Sequence, residues 1–236
     1  MQTPESLAKL MRHASLVMEL ARLPVAQLHF ERRLNPAAIP GVYANFTRPH
    51  PRYKVFRNKS MGVALIDLAR FGNVGAYLDT VRNHGHAGPQ SRKASARGYS
   101  LRRIDRNAHI DEIHAIHTSL PERQGRPMDD CYLVRRGAYP DEPHCECHGV
   151  FDADGRLAAY CNVARFGNFA ATDQLMGYRN NDGAMYLLLS SIICGLIEAR
   201  RVSWFMYDTW FGGNLGLREF KRRLGFRPYR ARYRLI

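Results

Sequence analysis

Apolar positions along the chain follow two rhythms. Leu7, Leu10, Met11, Leu16 and Leu20 recur near helical spacing, with Thr3 or Ser6 placed to cap the helix. Pro36, Pro40, Pro49 and Pro51 predict a connector. Residues 53–68 (YKVFRNKSMGVALIDL) read as one or two strands. Val74, Tyr77, Leu78 and Val81 predict a helix over 73–83, and HGHAGP at 84–89 reads as a breaker. In the basic stretch 91–106, the second half, GYSLRRID, alternates as a strand. Ile110, Ile113 and Ile116 share one face of a helix over 109–119, and RQGRPM at 123–128 reads as a loop.

From residue 144 the rhythm is mostly of period two. HCECHGVF, the hairpin turn Asp152 to Gly155, and RLAAYCNVARFG predict two paired strands, and FAATDQLMGY at 169–178 a third. The polar turn RNNDGA leads into a buried helix over 184–201, whose basic end suits the helix dipole. WFMYD at 204–208 is a strand, Asn214 opens a short basic helix, and 227–236 alternates as a last strand. The order β-β-β-α-β-α-β predicts an α/β (α+β) fold, a mixed central sheet flanked by helices.

Composition narrows the class. The chain has 236 residues, 45% hydrophobic and 11% aromatic, which excludes a disordered chain. Cys131, Cys145, Cys147, Cys161 and Cys194 are odd in number and scattered, so reduced thiols are expected. The net charge of +14 suits a polyanion, an anionic surface or an anionic substrate. Glu5, Arg12, Glu19 and Arg22 interrupt any leading apolar run, and the longest such run, near Tyr186 to Ile197, is too short to span a bilayer. A cytoplasmic protein without integral membrane association is the expectation.

One motif points to a family. Asn214 is followed by Leu217, Phe220 and the closing pair Gly225-Phe226, a spacing that resembles the Gcn5-related N-acetyltransferases (GNAT). Asn214 can cap that helix, Leu217 and Phe220 can bury one face, and Gly225 can end it left-handed. GNAT proteins carry a pyrophosphate loop of the form Arg/Gln-x-x-Gly-x-Gly/Ala. Here the run is Arg179 to Ala184, with altered spacing and an Asp182 expected to repel phosphate. Upstream, YLDTVR…SRKASARGYSLRRID, the next helix and RQGRPM are similar to the entry into the acyltransferase domain of FemAB-like proteins. So is Phe220-Lys221, where many GNATs have a Tyr. The resemblance covers roughly residues 70–236, so 1–70 is expected to be an extension (helix, Pro-rich connector, strands) and 71–236 a GNAT-like acyltransferase domain.

The resemblance implies an N-acyltransferase that moves an acyl group from acyl-CoA, or a related anionic donor, to a small-molecule or peptide amine. The strands at 169–178 and 204–208 would splay to admit the acyl group. Leu175, Met176, Gly177 and Tyr178 would pair with the donor's pantetheine, and Arg179, Asn180, Asn181, Gly183, Ala184 and Asn214 complete the expected donor site. Asp173 and Asp208 are the candidate bases, and Lys221 the candidate cation for a leaving thiolate or phosphate. Each has a plainer reading: Asp173 an outward-facing residue, Asp208 a turn residue, Lys221 part of a solvated face with Arg222 and Arg223. Two other functions stay open. In an aminoacyl-tRNA-dependent transferase or RNA-binding protein, basic segments 92–106 and 218–234 would meet phosphates. In a non-catalytic GNAT-like scaffold, the altered loop and missing Tyr would mark lost chemistry.

No metal is expected. His144-Cys145-Glu146-Cys147-His148 on a strand puts the two cysteines on one face and the other three on the opposite one, where they could line an acceptor pocket. His114 and His117, with Ser119 and Arg123, could line the acceptor cleft or simply be exposed. No nucleophile elbow, P-loop or dinucleotide fingerprint occurs.

Overall fold

The computed structural model describes residues 18–51, 54, 56–83, 87–123, 126–211 and 214–236. The strands are β1 (Val25–Phe30), β2 (Val63–Asp67), β3 (Ser100–Ile104), β4 (Glu122–Arg123), β5 (Arg126–Pro127), β6 (Cys145–Phe151), β7 (Leu157–Arg165), β8 (Phe169–Gly177), β9 (Trp204–Thr209) and β10 (Arg227–Leu235). The helices are α1 (Ile39–Thr47), α2 (Val74–Asn83), α3 (Ala87–Ala96), α4 (Ile110–Thr118), the single turn α5 (Asp130–Leu133), α6 (Ala184–Ala199) and α7 (Leu215–Arg223). The leading helix through Leu7, Leu10, Met11 and Leu16 lies outside the described residues, as do Tyr53, Val55 and the first three residues of HGHAGP.

Eight strands form one mixed sheet in the order β1-β10-β2-β9-β8-β7-β6-β3. β1 with β10 and β8 with β9 run parallel; the other neighbours are antiparallel. The near-unbroken burial of β7 follows from being covered on both faces. One face carries α2, α3 and α6, with Leu188, Leu189 and Ile193 against Ala159, Cys161 and Phe205. The other carries α4, with Ile113 and Ile116 on Tyr160 and Met176.

β1 and β2, from within residues 25–67, add two strands to the sheet that residues 71–236 build. The sheet also curls. Phe30 bridges to Gly167 in the β7–β8 turn, and the His29 amide donates to Asn168 Oδ1 at 2.8 Å. Phe30, Phe166 and Phe169 meet edge-on or tilted inside the closed end, with α1 adding Phe46.

Three local expectations fail, two of them for the same reason. The Pro-rich connector contains α1, with Pro40 in its first turn, and the supposed breaker opens α3, with Pro89 in its first turn. A first-turn proline loses nothing, because its missing N–H would have had no helical partner. RQGRPM is not a plain loop: Glu122–Arg123 pairs with Arg126–Pro127, and the Met128 amide reaches Pro121 O at 3.0 Å.

Candidate active site at the parting of two parallel strands

β8 and β9 pair only from Phe169↔Trp204 to Ala171↔Met206. Beyond that point Thr172–Gly177 and Tyr207–Thr209 have no ladder between them, so the strands part as expected. Two cavities flank the opening. One, of about 680 Å³, is walled by α1, the β4–β5 hairpin and the ends of β8 and β9. The other, of about 650 Å³, runs from Leu175 to the first turn of α6 and across to α7. Arg123, Met128, Leu175, Tyr207 and Leu217 line both.

The second cavity gathers every residue expected for the donor: Leu175, Met176, Gly177, Tyr178, Arg179, Asn180, Asn181, Gly183, Ala184 and Asn214. Asn214 caps α7 by accepting from the Leu217 amide at 2.9 Å, and Gly225 ends the helical segment with φ +94°. Gly183 enters α6 with φ +87°, where a Cβ would stand 2.3 Å from Gln90 O. α3 thus packs backbone to backbone on the loop. Lys93 Nζ donates to Asn181 O at 2.7 Å. Asp182 does not act as the expected repelling charge: it is ion-paired with Arg97 and accepts from Tyr99 Oη at 2.9 Å. That pairing neutralises it, and the first-turn residues Ala184, Met185 and Tyr186 of α6 line the end of the cavity.

The first cavity holds the candidate chemistry. Asp173, Asp208 and Lys221 all line it. Lys221 is not on a solvated face: it is 1% exposed, Nζ donates to Thr209 O at 2.7 Å, and it lies over the Tyr207 ring. Burial, helped by nearby Lys59 and opposed by Asp208, brings its pKa down to about 8. Asp208 sits at φ +50°, where the β2–β9 register shifts between Val63 and Leu65, and pairs with Lys59. A non-glycine residue held left-handed at a cavity wall is stored backbone strain of the kind found at functional sites. Asp173 is bonded by Asn162 Nδ2 at 3.2 Å.

The His144–His148 segment divides differently from the expectation. His144 precedes β6, so strand alternation does not place it; it lines the first cavity beside Cys145 and Glu142, and Glu146 and His148 do not. One ligand atom each of Glu142, His144 and Cys145 lies within 4.8 Å of the others. The Ala38 amide donates to Asn35 Oδ1 at 3.1 Å, which turns the Asn35 amide nitrogen to His144 Nδ1 at 3.2 Å. In the tautomer that suits this contact Nδ1 accepts and Nε2 carries the ring proton, 3.7 Å from Cys145 Sγ. Burial pushes the Cys145 thiol up to about 12.

His117 is not exposed: it lies on the buried face of α4 with Nε2 2.6 Å from Tyr160 Oη, and burial first, then His114, brings its pKa down to about 4. Ser119 and Arg123 line the second cavity, which His114 and His117 do not. Residues from outside the expected site complete the first cavity: α1 supplies Val42, Asn45 and Phe46, and Lys59 comes from the segment before β2. Nothing in their local sequence marked them, because a curled sheet brings them there.

With the parted strands, the capped α7 and the sheet order in place, the fold is GNAT-like. Among solved structures, the crystal structure of FemX superposes with a TM-score of 0.56 at 10% identity, over 78% of this chain and 62% of that one. The chain is also similar to L-PGS from Bacillus licheniformis (TM-score 0.43, 16% identity, 72% of this chain and 59% of that one). A GCN5-related N-acetyltransferase from Kribbella flavida gives 0.36 and 14%, over 56% and 48%. The chain spans less than two thirds of each of these structures. No protein-family model and no curated protein matches it. Among the described residues no helix is long and apolar enough to cross a membrane.

Proposed function

We propose that the protein is an acyltransferase. An activated, anionic acyl donor occupies the cavity from Leu175 to Ala184, and an amine acceptor occupies the cavity of Asp173, Asp208 and Lys221. The observation that carries this reading is the meeting of two cavities, each of several hundred Å³, where β8 and β9 part. Catalysis there is mostly positioning of amine against carbonyl, with a carboxylate to take the proton. Asp173 and Asp208 are the candidates for that task. Lys221 supports the leaving group as a buried cation.

A second reading of the donor has its own support. Arg123 Nη2 donates to Leu175 O at 2.7 Å, filling one backbone acceptor that a pantetheine arm would use. Exposed Arg227, Arg232 and Arg234 on β10 offer phosphate contacts. Both features suit a tRNA-borne aminoacyl ester at least as well as acyl-CoA. The test is a panel of radiolabelled acyl-CoAs and aminoacyl-tRNAs with small amines and lysyl peptides. Label transfer from either donor class supports the reading, and the class that works identifies the donor. No transfer and no thermal stabilisation by any donor would favour the scaffold. RNA binding that weakens steeply with salt but supports no transfer would favour an RNA-binding protein.

A further inference from the structure

Donor and acceptor can react only where their cavities meet. Among the described residues, five side chains line both, and Arg123 is the only charged one of the five. It stands on β4, outside the central sheet, and reaches back to the parted strands. Nη2 is held by the Leu175 carbonyl at 2.7 Å, which fixes the guanidinium at the edge of β8. A guanidinium has five N–H donors in a planar fork, so most remain free for a ligand. Among the described residues no carboxylate pairs with Arg123. Its charge is felt across the junction: burial raises the Tyr132 and Tyr207 phenols, and Arg123 opposes that rise in both.

We infer that Arg123 is the electrophile of the transfer, its guanidinium receiving the oxyanion that forms on the donor's carbonyl. This rests on the acyltransferase reading above. The neutral amine attacks the carbonyl carbon; a C–N bond forms and the C=O π pair moves to oxygen, facing the fork. Collapse re-forms C=O and breaks the bond to the donor's sulfur or oxygen. The leaving atom takes up the proton that the amine nitrogen gives up, so amide and free thiol or hydroxyl are the only products. A half-buried, uncompensated, pre-fixed cation is suited to charge that appears only in the transition state.

The experiment compares kcat and KM of wild type, Arg123→Lys, Arg123→Gln and Arg123→Ala with whichever labelled donor the panel identifies. Arg123→Gln is expected to lower kcat by about 100-fold, with donor KM changed less than about 3-fold. Arg123→Lys should fall between the two. Added guanidinium chloride should restore at least about 10-fold of the rate to Arg123→Ala and nothing to wild type. That rescue cannot come from a variant that merely fails to fold. An Arg123→Gln enzyme with wild-type kcat, a loss confined to KM, or an Arg123→Ala variant that guanidinium does not rescue overturns the inference and leaves the acyltransferase reading standing. A wild type inert with every donor overturns both.

Discussion

Lys221 Nζ lies 4.4 Å from the centroid of the Tyr207 ring and donates to the Thr209 carbonyl, so α7 delivers its one buried cation to the end of β9. Cation–π contact and one hydrogen bond offset part of the burial cost. Lys221→Met keeps the length of the side chain and removes the charge. Transfer should fall by at least about 10-fold, while the melting temperature at pH 7 holds or rises. The pH dependence follows from the sign of the shift. The folded pKa, about 8, lies below the unfolded value near 10.5, so in that window only the unfolded chain keeps the proton. Wild type should therefore gain stability relative to Lys221→Met as pH rises through that window. Parallel chemical-denaturation curves check this; equal slopes would place the lysine in solvent.

His117 and Tyr160 give the opposite pH limb. The folded pKa, about 4, lies below the ordinary 6.5, so the unfolded chain takes up a proton first as pH falls. Stability should decline from about pH 6.5 to 4 by a contribution on the order of 2 kcal/mol, and level off below. His117→Gln should flatten that limb while lowering stability at pH 7, since Tyr160 Oη loses its 2.6 Å partner. Urea midpoints at several pH values decide it; an unchanged limb would assign the acid sensitivity elsewhere.

Gly183→Ala tests the seat of α6. The position needs φ +87°, and a Cβ would meet Gln90 O at 2.3 Å, backbone against backbone with no side chain to give way. The variant should lose about 1–3 kcal/mol and the donor's thermal stabilisation together. A variant as stable as wild type, with intact donor binding, would mean that α3 moves aside freely.

Much of the fold was legible because the second half obeys local rules. β6 to β10, α6 and α7 follow from period, turn and cap signals, and Asn214 and Gly225 perform the capping their types suggest. The first half was harder. Pro40 and Pro89 read as breakers because a sequence does not say that a proline sits in a first turn, where its missing N–H is harmless. The donor segment was readable as a contiguous run. The acceptor cavity was readable only in part: Asp173, Asp208, Lys221 and Arg123 were candidates, whereas Val42 and Lys59 come from distant segments, joined to them only when β1 curls to the β7–β8 turn. Lys221 stands between Phe220 and Arg222, so charge alone suggested solvent. Its partner is a carbonyl, which no side-chain pattern reveals.

Asp173→Asn and Asp208→Asn separate the two candidate bases. Asn at 173 keeps shape and can still face Asn162 after an amide flip, and Asn at 208 tolerates the left-handed φ of +50°. Neither change should unfold the protein, although Asp208→Asn gives up the ion pair with Lys59. The residue that takes the amine proton should show a kcat loss of about 10- to 1000-fold with alkyl amines, which enter protonated. The loss should shrink with an alkoxyamine acceptor, which is already neutral near pH 7 and needs less help. A residue that only shapes the cavity should lower both acceptors equally, mainly through KM. We expect the acceptor-dependent loss at Asp173, which no cation pairs with among the described residues, and the uniform loss at Asp208, which Lys59 holds. The reverse pattern would move the base to Asp208 and make its strained backbone the means of aiming it. Full activity in both variants would remove both carboxylates from the chemistry and leave proton removal to water.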